Sequence, residues 1–256
     1  MAGLLQGKVV IVTGAGAGIG QAVAEAFGAE GATVVVSDID EARAKVVAGG
    51  IAGAGVVACD VRDEDQVKAL VDETVRRHGG LNVMVANAGI GRAVPLLAMD
   101  LAEWRAVTSV NLDGVFLSVR YGAPAIAAAG GGSIITMCSI TSQAGSPLIA
   151  HYAAAKAGVM SLTQTAAIEF RPQGVRVNAI LPGFTDTELV NAAKGSFENL
   201  LNLEAGQFDA IIGQKQGRYG QPAEVARTAV FLASDRSRFS TGAAFVLDGG
   251  MRASLL

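Results

Sequence analysis

Tyr152 and Lys156 stand four positions apart in HYAAAK, a stretch otherwise built from alanine, in a chain with only three tyrosines and two histidines. On a helix this spacing places both side chains on one face, one turn apart. A free phenol, with a pKa of about 10, exchanges protons poorly near neutral pH, and a fixed ammonium beside it favours the phenolate. The pair is therefore either a proton-exchanging centre or an exposed Tyr/Lys pair on a helix surface. The hexapeptide alone does not decide between them. His151, about 100° around the helix from Tyr152, reads as a partly buried, non-catalytic imidazole.

The elements that must position such a centre are legible in the hydrophobic pattern. Short β-branched runs (KVVIV 8–12, TVVVS 33–37, GVVAC 55–59, NVMVA 82–86, SIITMC 133–138, VRVNAI 175–180, AAFVL 243–247) alternate with longer segments of helical spacing such as EDQVKALVDETVRRHG. Apolar strands alternating with helices predict an α/β doubly wound Rossmann-type fold, a single mostly parallel seven-stranded sheet with helices on both faces. No linker or repeat divides the chain, so a single domain over 1–256 is expected. Residues 188–216 have helical spacing without an intervening strand and read as a helical flap, a substrate lid or a plain surface hairpin. A long helix is expected over roughly 101–129 and another over about 150–170.

VTGAGAGIG follows the first run and opens the first helical segment. In that position a glycine turn brings backbone amides and a helix N-terminus to a pyrophosphate. Ile19 breaks the G-x-G-x-x-G spacing, and the string instead fits T-G-x-x-x-G-x-G through Gly14, Gly18 and Gly20. Asp38 ends the second run, where a carboxylate accepts ribose hydroxyls and repels a 2′-phosphate. No Arg or Lys adjoins it, and Ala17 occupies the loop, so NAD is favoured over NADP. Asp38 and Asp40 also read as caps of EARAKVVAG, Asp40 the better of the two. Asp60 and Val61 end the third run and Asn87-Ala88-Gly89 the fourth, where open α/β sheets bind ligands. Asp60 reads either as an adenine contact or as a helix cap.

Composition narrows the class. Hydrophobic residues are 51% and charged residues 17%, with a net charge of −3. That balance supports a large core and disfavours a nucleic-acid or anionic-membrane partner. Residues 121–155 carry no Asp, Glu, Lys or Arg, but GGG, proline and several hydroxyls break them, so no membrane span is expected. Cys59 and Cys138 are too few for a disulfide framework or metal cluster and read as buried thiols. No metal site is expected, and the start MAGLLQGK lacks a leader pattern, which gives a cytoplasmic expectation.

The chain resembles the short-chain dehydrogenase/reductase family over almost its whole length. The residues that carry the resemblance are TGAGAGIG (13–20), Asp60, NAG (87–89), Asn111, Ser139, YAAAK (152–156) and PGFTDT (182–187). The resemblance implies a catalytic tetrad of Asn111, Ser139, Tyr152 and Lys156. Tyr152 would exchange the substrate proton, and Lys156 would tune it and bind the nicotinamide ribose. Ser139 would hold the substrate oxygen, and Asn111 would hold a water leading to Lys156. Pro182, Gly183, Thr185 and Thr187 would meet the nicotinamide carboxamide, Thr187 as the favoured hydroxyl. Met137-Cys138 and Ala86 depart from the family pattern without removing a catalytic group.

The activity so implied is NAD-dependent interconversion of a secondary alcohol and a ketone by hydride transfer. The alternatives are NADPH-dependent reduction of a 3-oxoacyl thioester and a non-catalytic dinucleotide sensor. Substrate contacts are expected from Ser139, Tyr152 and Gln143, with Leu148, Ile149, Phe184 and Leu189 supplying an apolar wall. The resemblance also implies a homotetramer built through the two long helices and the C-terminal region.

Overall fold

The computed structural model describes residues 3–253. Met1 and Ala2, where the leader reading begins, and residues 254–256 of the C-terminal region lie outside them. Seven strands, β1 (Val9–Thr13), β2 (Thr33–Asp38), β3 (Gly55–Ala58), β4 (Val83–Ala86), β5 (Gly132–Met137), β6 (Val175–Pro182) and β7 (Ala244–Leu247), form one sheet in the order β3-β2-β1-β4-β5-β6-β7. Every pairing is parallel, so the sheet is wholly rather than mostly parallel.

The β-branched runs become central strands because successive side chains point to opposite faces and both faces are covered. Val10 and Val12 of β1, with Val34 and Val36 of β2, pack on one face against α1 (Gly18–Ala29) and α9 (Pro222–Ala233). Ile11 and Val35 pack on the other, with α3 (Glu64–His78), α5 (Gly114–Ala128) and α6 (Ala150–Phe170). Crossovers are short because helices start and stop on local signals. Asp40 accepts from the amides of Ala42 and Arg43 and caps α2 (Glu41–Gly49). Asp63, not Asp60, caps α3 through the Gln66 amide, and Gly79 at φ 80° ends it.

One helix differs from the sequence expectation. The helix read over 101–129 consists of α4 (Leu101–Thr108) and α5, joined through a π-helical turn at Ser109–Asp113. The 188–216 segment forms two helices, α7 (Glu188–Leu200) and α8 (Gln207–Gln216), around a small core of Phe197, Phe208 and Ile212. Among the described residues no helix is long and apolar enough to cross a membrane.

Candidate active site

The carboxyl ends of β1, β4, β5 and β6 open onto one cavity of about 540 Å³. Its lining contains Gly14, Gly18, Ile19, Gly20, Asp38, Asp60, Val61, Asn87, Ala88, Gly89, Asn111, Ser139, Tyr152, Lys156, Pro182, Gly183, Thr185 and Thr187. The site residues predicted from sequence thus converge, apart from Gln143.

The glycine turn is held against the β4 turn. Gly14 has φ +61°, and a Cβ there would lie 2.7 Å from the Ala88 Cα. A Cβ on Gly20 would collide with the Gly14 carbonyl oxygen. Thr13 Oγ1 accepts from the amides of Asn87 (3.0 Å) and Ala88 (3.2 Å), and Asn87 Nδ2 donates to the carbonyls of Thr13 and Gly14. Ala17, at the N-cap of α1, offers no side-chain acceptor, so the first amides of the helix face the cavity without one. Bare helix amides beside a glycine cradle fit a pyrophosphate.

At the far end, the Asp38 carboxylate accepts from the Gly16 amide at 2.9 Å and the Asp40 amide at 3.0 Å. Two cations stand near this end, Arg43 beside Asp38 and Arg62 beside Asp60. Arg43 packs beside Gly16, and its Nη1 donates to Glu188 Oε2 at 2.8 Å, which ties the start of α2 to the start of α7. Arg62 lines the cavity and grips both oxygens of Asp60. Its hydrogen bonds hold the Asp60 carboxyl below the usual carboxylate range. Asp60 therefore meets the cavity already engaged, and a hydrogen bond to adenine would compete with Arg62.

At the other end, β5 delivers Ser139, whose Oγ accepts from the Thr141 amide (3.2 Å) and hydroxyl (3.0 Å). Tyr152 and Lys156 share a face of α6, and Lys156 Nζ lies 5.4 Å from the phenol ring centre. That ammonium is buried and donates to the Met137 carbonyl at 2.8 Å. Burial pushes Lys156 down to about 8. Burial also pushes the Tyr152 phenol up to about 12, while the Ser139 hydroxyl pulls it back only in part. Desolvation is the largest influence on the phenol here, and it favours the neutral form.

Asn111 sits in the π-helical turn. Its Nδ2 donates to the carbonyls of Ile90 (2.8 Å) and Val107 (3.0 Å), and its buried Oδ1 has no partner. A Cβ on Gly89 would lie 2.7 Å from that oxygen and 3.6 Å from Lys156 Nζ, so the two polar groups flank one small gap. Thr187 caps α7 by accepting from the Val190 amide, and Thr185 is buried and donates to the Gly183 carbonyl.

A second cavity of about 100 Å³ joins Ser139 and Tyr152 to the flap. Ile140, Ile149, Phe184, Leu189, Phe197 and Phe208 line it, with Arg92 at its edge. Phe208 packs edge-on against Phe184, ring centres 5.4 Å apart, and against Phe197 at 5.2 Å. Leu148, at φ 69°, supports this wall from the loop before α6, and its carbonyl accepts from the Val94 amide. Gln143 follows the single turn Ile140–Ser142, is exposed, and lines neither cavity.

Sequence reasoning missed Gln216 and Glu103 here and read His151 as less buried than it is. Gln216 is buried and exchanges hydrogen bonds with the Phe184 backbone, fastening α8 to the loop after β6. His151 is fully buried rather than partly so, with Nε2 3.5 Å from Glu103 Oε1. Burial lowers its pKa, and Glu103 opposes the shift. Only long-range packing brings these groups together. Cys59 and Cys138 are buried free thiols, the former pushed up to about 12 by desolvation.

Residues 14–252 match the family described as enoyl-(acyl carrier protein) reductase. A cis-4-hydroxycyclohexanecarboxylate dehydrogenase of Sinomonas cyclohexanicum is 40% identical, over 96% of this chain and 97% of its own. A 3-oxoacyl-[acyl-carrier-protein] reductase of Thermotoga maritima is 38% identical (96% and 98%), and a cyclohexanol dehydrogenase of Acinetobacter sp. 39% (97% and 96%). A crystal structure of a short-chain type dehydrogenase/reductase from Mycobacterium marinum superposes with TM-score 0.88 at 35% identity, covering 98% of this chain and 97% of that one. Glycine cradle, Tyr–Lys helix and full-length likeness agree, and the chain belongs to the short-chain dehydrogenase/reductase family.

Proposed function

We propose that the protein interconverts a secondary alcohol on an alicyclic ring and the corresponding ketone, with NAD as the dinucleotide and Tyr152 as the proton-exchanging group. The carrying observation is that Ser139 and Tyr152 border both cavities, one glycine-lined and one apolar. Family membership makes the chain an oxidoreductase working with a nicotinamide dinucleotide. Two relatives named for cyclohexane alcohols support a ring substrate. The second cavity, about 100 Å³, is of the order of the about 150 Å³ apolar cavity that holds benzene.

When bound, the dinucleotide supplies the hydride acceptor. The amides of Gly18, Ile19 and Gly20 would hold its pyrophosphate and Asp38 its ribose hydroxyls. Asp60 and Val61 would flank adenine, Asn87-Ala88-Gly89 would floor the cleft, and Pro182, Gly183, Thr185 and Thr187 would meet the carboxamide. Ser139 already accepts two hydrogen bonds from Thr141, which leaves its own proton for the substrate oxygen. Tyr152, as a phenolate supported by the Lys156 ammonium, would take the alcohol proton and become the neutral phenol. The orphan oxygen of Asn111 faces the gap toward Lys156, where a bridging water would connect the pair to solvent.

A second reading, NADPH-dependent reduction of a 3-oxoacyl thioester, is supported by the Thermotoga maritima relative and by Arg43 at the adenosine lip. Comparing kcat/KM for cyclohexanol with NAD and for an acetoacetyl thioester with NADPH tests the choice. Efficient NADPH turnover of the thioester, without NAD-linked oxidation of cyclohexanol, replaces the first reading by the second. A homotetramer is also proposed, supported by exposed Phe116 on α5 and Ile168 on α6. Light scattering on the purified protein tests it, and a monomer refutes it.

A further inference from the structure

The apolar cavity has one permanently charged side chain in its lining, that of Arg92. This arginine follows the β4 turn, and its side chain is half exposed, 55% of its surface being accessible. Its Nη1 donates to Glu103 Oε2 at 3.0 Å, the one hydrogen bond of the guanidinium among the described residues. A guanidinium carries five N–H donors in a planar fork, so most of this fork remains available.

Arg92 is also held in place from behind. Glu103 lies on α4, and its second carboxylate oxygen has no hydrogen-bond partner; it faces the buried His151 Nε2 at 3.5 Å. His151 precedes Tyr152, and its Nδ1 accepts from the Tyr152 amide at 2.8 Å. Glu103 thus holds the Arg92 cation, with the imidazole that precedes the phenol 3.5 Å behind it. Bordering the apolar cavity with unused, directional donors suits recognition of a second carboxylate.

Resting on the alicyclic-alcohol reading above, we propose that Arg92 recognises a carboxylate on the substrate at the end away from the reacting hydroxyl. The substrate class is then a hydroxylated alicyclic carboxylic acid, with the ring against the Phe184 and Phe208 wall. Arg92 is a specificity residue, and Glu103 and His151 are positioning residues that aim it.

The test uses ligands that need no turnover. Calorimetry on the NAD-loaded full chain compares cyclohexanecarboxylate with the neutral cyclohexanecarboxamide. The expected result is about tenfold or greater preference for the carboxylate, lost in Arg92→Met and partly kept in Arg92→Lys, which has the charge without the fork. Unchanged carboxamide binding in Arg92→Met shows that the pocket is intact. If that variant binds neither ligand, Arg92→Lys decides: a reduced but present preference supports the proposal, and its absence overturns it. Equal affinities in the wild type, or a preference that survives Arg92→Met, also overturn it. Alcohol oxidation is assayed separately. A carboxylate preference without turnover of any alicyclic alcohol removes the oxidation reading and leaves the anion site standing; turnover of neutral alcohols without a carboxylate preference does the reverse.

Discussion

In the dinucleotide cleft the working surface is largely backbone, with Gly14 pressed on Ala88, Asn87 tied to the Thr13 and Gly14 carbonyls, and helix amides facing inward. In the apolar cavity it is largely side chain, with aromatic rings from α7, α8 and the loop after β6 packed on one another. The first surface is held by the sheet itself. The second rests on a helical pair fastened to the sheet by a few contacts, Gln216 to Phe184 and Arg43 to Glu188 among them. A shared cofactor demands a fixed frame, whereas a ring-sized pocket can be remade by changing side chains without disturbing that frame.

Four experiments break or sharpen this contrast. The largest effect is expected where the two surfaces meet: Tyr152→Phe should lower turnover by about 10³-fold or more while dinucleotide affinity stays within about threefold. Steady-state kinetics and a binding titration read the two, and retained turnover removes Tyr152 as the proton-exchanging group. Next, Gly14→Ala forces a side chain into the left-handed region and onto Ala88. It should cost about 1–3 kcal/mol of stability and at least about tenfold in dinucleotide affinity, measured by denaturant unfolding and titration.

Phe208→Ala should act on the other surface alone. Loss of the ring between Phe184 and Phe197 costs about 3 kcal/mol in a region able to loosen locally. KM for ring alcohols should rise about tenfold with dinucleotide affinity unchanged. An equal fall in dinucleotide affinity would show that the two surfaces are not independent.

The smallest effect concerns pH. Lys156 sits near 8 in the folded chain against an ordinary 10.5. Between those values the unfolded chain binds the extra proton, so folded stability should rise with pH from about 8 toward 10.5. Tyr152, at about 12 against 10.0, takes stability away above pH 10. Denaturant midpoints at several pH values should show wild type gaining on Lys156→Met between about pH 8 and 10. Parallel curves would contradict a buried, depressed ammonium.

The sequence made local features readable. Strand runs, the glycine turn and the Tyr–Lys spacing are each contained in a few consecutive residues, and the fold places them where their periodicity and order imply. What escaped depends on distance in the chain. Arg43 meets Glu188, Arg92 meets Glu103 and Glu103 meets His151 only after the helices have docked. Gln143 read as a pocket residue because it is polar and near Ser139, but one turn of chain carries it to the surface. Helical spacing gives proximity between Tyr152 and Lys156 and says nothing of desolvation, which raises the phenol and lowers the ammonium here.

The π-helical turn at Ser109–Asp113 has a consequence for tolerance to insertion and deletion. Such a turn houses one residue more than a regular helix of the same length. Removing a single residue from it would let α4 and α5 run on as an uninterrupted rod with both flanks in their present orientation. The loss would fall on Asn111, whose amide would swing off the Ile90 and Val107 carbonyls. A one-residue deletion here should therefore yield a well-folded chain with a crippled centre, marking the surplus residue as kept for chemistry rather than for architecture.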